Sequence, residues 1–211
     1  MSNPKKVVLA FSGGLDTSYC VAYLKNELDL EVHTVLVETG GFADAELQQI
    51  EERALALGAA SHKTIDKVED YYRRIIRYLV FGNVLKNHSY PLSVSAERVS
   101  QAMAVAEYAR EMQADYIAHG STGAGNDQIR FDVALRILAG DLEIITPIRD
   151  RGLSREATTQ YLKERGFEVP SRTTTYSINA GLWGTTIGGR ETLDTRDPIP
   201  EDAYPGTTAP A

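Results

Sequence analysis

The sequence has little cysteine, no long apolar run and no excess of basic charge, and each of these absences excludes a class of protein. Cys20 is the only cysteine among 211 residues, so an internal disulfide framework and a cysteine-rich zinc ribbon are excluded. No apolar run approaches the ~20 residues that cross a bilayer, and the run 7–11 is too short for the core of a signal peptide. With 22 basic and 29 acidic residues the net charge is −7, which argues against a protein that grips a nucleic-acid backbone. We therefore expect a cytoplasmic protein with small-molecule partners and with neither a nucleic-acid nor a membrane partner.

Short apolar runs that end at glycine or small polar residues alternate along the chain with segments of helical periodicity. The predicted strands are 7–11, 32–37, 62–65, 116–118 and 143–145, and the predicted helices are 17–28, 45–57, 66–85, 96–112, 128–138 and one that begins at Ser154. Because strands joined through helices pair in parallel, this alternation predicts an α/β fold with a doubly wound, mostly parallel sheet covered on both faces.

The composition of the chain changes near Pro170. From there to Ala211 the sequence carries most of its prolines, little periodicity and no amphipathic helix. A segment of this kind has no core of its own and packs against another part of the protein or stays disordered. We therefore expect one nucleotide-binding type domain over 1–170, and an extended segment over 171–211 that leads towards a second domain absent from this sequence.

The loop between the first strand and the first helix has the composition of an anion-binding loop. It contains Ser12, Gly13, Gly14, Leu15, Asp16, Thr17 and Ser18 in succession. The two glycines allow the backbone to turn sharply and to approach an anion closely. Free N–H groups at the helix start, with the hydroxyls of Ser12, Thr17 and Ser18, are suited to a phosphate or pyrophosphate. The alternative is a plain turn between strand and helix, with Asp16 as a helix cap.

Two features limit the kinds of ligand that this loop would bind. The loop has no lysine, so it is not a Walker-type phosphate loop, and it lacks the G-x-G-x-x-G spacing of a dinucleotide-binding fold. A carboxylate beside a polyphosphate is repulsive unless a cation lies between them. Asp16 therefore argues for Mg²⁺ bound together with the polyphosphate.

A second glycine-rich loop, within the range 118–131, follows another predicted strand and opens a helix. Its glycines expose backbone groups, and Thr122, Asn126, Asp127 and Arg130 place complementary polar groups around them. Such a set suits a zwitterionic amino acid, because Asn and Thr bind a carboxylate and Asp127 holds an ammonium group. Arg130 is suited to a bidentate contact with a carboxylate or phosphate. The alternative is an ordinary loop in which Asp127 caps the helix and Arg130 is solvated.

The range 71–78 mixes tyrosines with arginines, a composition that also occurs in RNA-binding surfaces. On an ideal helix Tyr71, Ile75 and Tyr78 share one face, while the arginines lie elsewhere. We therefore predict a solvated basic face rather than an RNA contact.

The two loops together resemble those of a known family. Ser-Gly-Gly-Leu-Asp-Thr-Ser after a buried strand resembles the pyrophosphate loop of the N-type ATP pyrophosphatases, which have an adenine nucleotide alpha hydrolase-like, Rossmann-like fold. The second loop resembles the H-G-x-T-G-x-G-N-D-Q-x-R-F signature of argininosuccinate synthase. The resemblance extends over almost the entire chain, through Tyr90, Ser95 and Arg98, the range 153–156, and the range 182–184.

The resemblance implies a ligase that joins citrulline and aspartate through a citrullyl-adenylate and releases AMP and pyrophosphate from ATP with Mg²⁺. It assigns ATP binding to Ala10, Phe11, Ser12, Gly13, Gly14, Leu15, Asp16, Thr17, Ser18, Val37 and Gly120. It assigns aspartate binding to Thr122, Asn126 and Asp127, and citrulline binding to Tyr90, Ser95, Asn126, Arg130, Ser177 and Thr186. Catalysis would rest on Ser12, Asp16 and Arg130, with Asp16 also serving Mg²⁺. Full-length members of the family are homo-oligomers, typically tetramers.

The chain departs from the family pattern in several places. Ala124 replaces the usual lysine between the signature glycines, Thr186 stands for a serine, and the range 38–42 differs from the usual acidic residue followed by Gly-Gln. Family members are also about twice as long. Two alternatives therefore stay open: an ATP-binding module without turnover, and another N-type ATP pyrophosphatase such as a tRNA-modifying or amide-forming ligase.

Overall fold

A computed structural model of the protein describes residues 4–123, 125–169, 177–189, 196 and 198–204. Its centre is a five-stranded sheet in which every pairing is parallel. The strands are β1 (Lys6–Ala10), β2 (Glu31–Glu38), β3 (Ser61–Asp66), β4 (Tyr116–His119) and β5 (Glu143–Ile145), in the order β3-β2-β1-β4-β5. The predicted doubly wound parallel sheet is confirmed.

Buried apolar side chains on both faces hold the central strand in place. In β1, Val7, Val8 and Leu9 are fully buried, and Val8 pairs with His33 of β2 on one side and Ile117 of β4 on the other. A strand that is covered on both faces can be apolar throughout, which is why its sequence is a continuous run rather than an alternating one.

Helices cover the two faces of the sheet. They are α1 (Leu15–Asn26), α2 (Asp44–Ala56), α3 (Val68–Tyr71), α4 (Arg77–Phe81), α5 (Ser93–Glu111), α6 (Asp127–Leu138), α7 (Pro147–Asp150) and α8 (Arg155–Glu164). Val7 and Leu9 share one core cluster with α1, α2 and α8, whereas Val8 shares the other with α5 and α6. Within the described ranges, none of these helices is long and apolar enough to cross a membrane.

The helix predicted over 66–85 is interrupted and shorter. Asp66, the last residue of β3, accepts a hydrogen bond from the N–H of Val68 (2.9 Å) at the start of α3. A π-helical turn (Tyr72–Ile76) separates α3 from α4, and the last helical residue is Phe81, before Gly82 and the left-handed Asn83 (φ 46°).

The π-helical turn also changes which residues share a face. Because the turn contains an extra residue, Ile76 rather than Ile75 is buried together with Tyr71. Tyr78, which would share a face with Tyr71 on an ideal helix, is 56% exposed.

The helix predicted to begin at 96 begins at Ser93. Leu92 immediately before it has left-handed backbone (φ 58°), which sets the turn into α5. Ser95, expected in the preceding loop, therefore lies in the first turn of the helix.

An antiparallel hairpin, which the sequence did not indicate, is formed by β6 (Ser177–Gly181) and β7 (Gly184–Gly188). It lies against α5 and the end of β2: the N–H of Leu182 donates to the carbonyl of Thr39 (3.0 Å) and the indole of Trp183 to the carbonyl of Pro91 (3.0 Å). The predicted boundary at Pro170 lies outside the described residues.

Candidate nucleotide and amino-acid site

The two glycine-rich loops lie side by side at the carboxyl edge of the sheet. They follow β1 and β4, which are neighbours, and the chain connection reverses direction between these two strands. A Cβ atom on Gly120 would lie 3.0 Å from Cγ2 and 3.3 Å from the backbone nitrogen of Thr17. Crevices at such a reversal point are where open parallel sheets bind ligands.

The loop after β1 leaves the start of α1 open. Gly13 has left-handed backbone (φ 73°), and an added Cβ would lie 2.8 Å from Cγ1 of Ile50. Gly14 is the N-cap of α1, and no side chain in the described part of the chain caps this end. The hydroxyl of Thr17 donates to the carbonyl of Gly14 (3.2 Å), so the first N–H groups of α1 remain available for an anion.

Asp16 lies in the first turn of α1 and is partly buried. Burial raises the pKa of its carboxyl, and the positive charge of Arg155 offsets part of this rise. Across the described ranges there is no group of three acidic, histidine or cysteine side chains that could hold a metal ion.

A buried histidine fixes the loop after β4 from beneath. His119 is 1% exposed, and its Nε2 lies 2.9 Å from Oδ1 of Asp132. The other oxygen of Asp132 accepts from Arg149 (2.9 Å), and Nδ1 of His119 lies 3.4 Å from the N–H of Ser121. Burial lowers the pKa of His119, and the hydrogen bond with Asp132 acts in the opposite direction. Because Nδ1 faces the N–H of Ser121, Nε2 is the nitrogen that donates to the carboxylate.

At the start of α6 a carboxylate lies between two guanidinium groups. Oδ2 of Asp127 accepts from Nε of Arg98 (3.1 Å), and Oδ1 accepts from Nη1 of Arg130 (2.8 Å). Asp127 is thus a paired carboxylate rather than a simple helix cap, and the alternative of a solvated Arg130 is not what the structure shows.

Tyr90 and Ser95 are also close together. Burial by itself would raise the pKa of Tyr90, but hydrogen bonds with Ser95 and Ser93 outweigh it and lower the pKa.

The remaining predicted residues occupy several environments. Phe11, Leu15, Ser18 and Val37 are buried, and the hydroxyl of Ser18 has no hydrogen-bond partner in the described structure. Thr122 and Asn126 are exposed, and Thr186 is half-buried. Ser177 begins β6, and its side chain, like Ala124, lies outside the described residues.

Sequence reasoning missed the network of His119, Asp132 and Arg149, and it missed the buried Glu97 beside Arg98. The only local signal for His119 was its position at the end of a strand, inside the glycine-rich motif. No local signal pointed to Asp132, Arg149 or Glu97, whose contacts depend on the tertiary fold.

The sheet order and the two loops define a class: a doubly wound α/β domain of the nucleotide-binding type. A family model described as "Arginosuccinate synthase N-terminal HUP domain" matches residues 6–168. The chain belongs to the argininosuccinate synthase family, and residues 6–168 are its N-terminal HUP domain. The family and the fold that the resemblance implied are confirmed.

Curated relatives agree with this family. The argininosuccinate synthase of Hyperthermus butylicus is 42% identical over 206 residues, which cover 97% of this chain and 51% of that protein. Those of Sulfurisphaera tokodaii and Methanocaldococcus jannaschii are 40% identical over 202 residues and 41% identical over 204, and each alignment covers 96% of this chain and 51% of the relative. The chain spans about half the length of the curated relatives it matches.

Proposed function

We propose that this chain supplies the ATP-binding and much of the amino-acid-binding surface of an argininosuccinate synthase. The reaction joins citrulline and aspartate through a citrullyl-adenylate, with release of AMP and pyrophosphate. The observation that carries this proposal is the contact between the two glycine-rich loops at Gly120 and Thr17, because it allows two ligands to meet at one sheet edge. The cytoplasmic location and the homo-oligomer are parts of the same proposal, taken from the family.

ATP would bind along the range 10–18, with Val37 and Gly120 beside the nucleotide. Left-handed backbone at Gly13 and the open start of α1 suit a phosphate chain, since both present N–H groups without an intervening side chain. The small Gly120 allows the second loop to approach Thr17, and the hydroxyl of Ser12, 3.4 Å from that of Thr17, adds a further donor.

Mg²⁺ would arrive with ATP rather than occupy a site of its own. Asp16 is the acidic side chain in this loop, and burial makes its negative charge unfavourable in the free protein. A cation held between Asp16 and the polyphosphate would relieve both this cost and the repulsion between the anions.

The amino acids would bind at the second loop. Asp127 with Thr122 and Asn126 would hold aspartate. The carboxylate of Asp127 can accept a hydrogen bond from the ammonium group of this substrate. Citrulline would contact a larger set, namely Tyr90, Ser95, Asn126, Arg130, Ser177 and Thr186. Proximity of Tyr90 to Ser95 and of Arg130 to Asp127 supports a common pocket.

Catalysis would then depend on positioning and on charge neutralisation, with no covalent intermediate on the protein. Ser12 and Asp16 would stabilise the departing pyrophosphate, and Arg130 would orient citrulline. The range 171–211 would form the connection to the remainder of the synthase.

A second candidate is an ATP-binding module without turnover. The observation behind this candidate is that the chain spans 51% of the length of these relatives. Calorimetry with ATP, followed by an assay for argininosuccinate, separates the two: binding without product supports the module.

Asp16→Ala provides the first test of the enzymatic proposal. Loss of this carboxylate should abolish citrulline-dependent exchange of labelled pyrophosphate into ATP, because Mg²⁺ at the phosphates loses its protein partner. Asp44→Ala, at the exposed start of α2, is the matched control and should leave exchange unchanged. Should the Asp16 variant exchange pyrophosphate at the rate of the parent chain, Asp16 has no part in the mechanism.

A further inference from the structure

Glu97 is a buried carboxylate for which the proposed reaction assigns no task. Its side chain is 9% exposed, and it lies beneath the hairpin at Gly181. A Cβ atom on residue 181 would collide with Oε2 of Glu97, so the absence of a side chain at Gly181 is what admits this carboxylate. Burial raises the pKa of Glu97, and Arg98 acts in the opposite direction.

The partners of Glu97 connect it to the amino-acid loop. Its Oε1 accepts from Nη1 of Arg98 (3.0 Å) and from Nε2 of Gln101 (2.9 Å). The same guanidinium group donates through Nε to Asp127 (3.1 Å) and through Nη2 to Oδ1 of Asn179 in the hairpin (2.8 Å). All three nitrogens of the Arg98 guanidinium group are therefore engaged, and together they join α5, α6 and β6.

Glu97, Arg98, Asp127 and Arg130 form a charged cluster whose net charge is zero only when Glu97 is included. Asp127 contacts two guanidinium groups, those of Arg98 and Arg130, and Glu97 supplies the second negative charge. Without Glu97 the group would carry one surplus positive charge, and the side chain of Arg98 is only 12% exposed, so water would screen that charge poorly. An ammonium group approaching Asp127 would then be repelled.

We propose that Glu97 is a positioning residue for the amino-acid site: it neutralises and orients Arg98, so that Asp127 retains the charge to bind an ammonium group and the hairpin stays docked. This inference rests on the proposed role of Asp127 for its substrate part, whereas its hairpin part is independent of any substrate. Gly181 is the structural counterpart of Glu97, because it makes room for the carboxylate.

The substrate part is tested by Glu97→Gln, which keeps the shape of the side chain and removes its charge. We expect the Kd for aspartate, measured by calorimetry with citrulline and the α,β-methylene analogue of ATP, to rise about tenfold. The Kd for the ATP analogue should change less than twofold. Glu107→Gln, on an exposed face of α5, is the control and should change neither value. Equal changes in both constants, or no change in either, would overturn the proposal.

The hairpin part is tested without substrate by the fluorescence of Trp183, the only tryptophan of the chain. Gly181→Ala should shift the emission of Trp183 to longer wavelength, because the new methyl group displaces Glu97. Hydrogen exchange of the Leu182 amide should become at least tenfold faster for the same reason. Glu97→Ala alone, which removes the partner of Arg98 without creating a collision at residue 181, should also accelerate hydrogen exchange of the Leu182 amide. Slow exchange in Gly181→Ala, or in Glu97→Ala, would overturn the inference. If the parent chain fails to bind aspartate, that result contradicts the proposed function. The hairpin measurements would still decide whether Glu97 holds the hairpin in place.

Discussion

At the scale of single residues, the site divides into groups that the sequence revealed and groups that only the fold assembles. Gly13 and Asp16 were predictable because a motif of consecutive residues carries its own backbone geometry and charge. The partnership of Asp132 with Arg149, and that of Arg98 with Asn179, join residues far apart in the chain. No local pattern encodes such pairs, so reasoning from one sequence found the two glycine-rich loops and missed the side chains that support them.

Asp127 should determine the requirement for aspartate. We expect Asp127→Ala to raise the aspartate concentration needed for half-maximal binding about 10- to 100-fold, because a hydrogen bond to a charged group contributes roughly 1.5–3 kcal/mol. Affinity for ATP should change far less. Calorimetric titration of each ligand checks this, and a rise of the same size in both dissociation constants would contradict the assignment of Asp127 to aspartate.

His119 should make the stability of the chain depend on pH. Its pKa is lowered in the folded state by burial, whereas in the unfolded chain it is about 6.5. The unfolded state therefore binds more protons below pH 6.5, and stability falls as pH decreases from there through the folded pKa. The contribution reaches at most about 1.4 kcal/mol per pH unit.

Urea unfolding at pH 7 and pH 5.5 measures this contribution. His119→Gln should lose less stability than the parent chain over this interval, since glutamine does not titrate. The control is His88→Asn, which replaces an exposed histidine in left-handed backbone by a residue that tolerates it. Equal losses in the parent and His119→Gln would show that the ring titrates in the same way in both states.

At the scale of elements, predictions succeeded where packing and local preference agree. The central strands β1, β2 and β4 were found because burial on both faces makes their sequences rich in apolar residues. The hairpin was not, because β6 and β7 are short, rich in glycine and threonine, and held by contacts with α5 rather than by their own composition. The π-helical turn was missed because its face follows a spacing of five residues, from Tyr71 to Ile76, that an ideal helix does not have.

The start of α8 offers a direct test of a predicted cap. The hydroxyl of Ser154 accepts from the N–H of Ala157 (3.2 Å). Ser154→Ala should lower the free energy of unfolding by about 1 kcal/mol, because it leaves an N–H group of the first turn without a partner. Ser154→Asp retains a hydrogen-bond acceptor and should lower the free energy of unfolding by a smaller amount. Thermal unfolding of the three proteins checks the order, and equal melting temperatures would show that the cap contributes nothing.

At the scale of the whole molecule, the sheet core and the hairpin differ in how much apolar surface they bury. The core buries apolar residues on both faces of the three central strands β1, β2 and β4, whereas Ile178 and Leu182 in the hairpin region remain about 40% exposed. Regions with few buried apolar contacts open at lower free energy than the core. The hairpin should therefore detach before the sheet unfolds.

Urea titration followed by two signals tests this order. Trp183 fluorescence reports the hairpin and far-ultraviolet circular dichroism reports the helices, so we expect the fluorescence midpoint at lower urea. The variant Trp183→Phe should remove the early fluorescence transition and leave the dichroism curve nearly unchanged. Coincident midpoints in the parent chain would mean that hairpin and sheet form one cooperative unit.

The central position of the first strand has a consequence for synthesis on the ribosome. The backbone N–H of Lys6 bonds to the side chain of Asp115, 109 residues later, and β1 acquires its second neighbour only when β4 exists. At about 10 residues per second, the growing chain carries an apolar strand with one open edge for about 10 s. During that interval β1 is exposed to chaperones and to pairing with other chains, so substitutions that strengthen its early pairing with β2 should raise the yield of folded protein in cells.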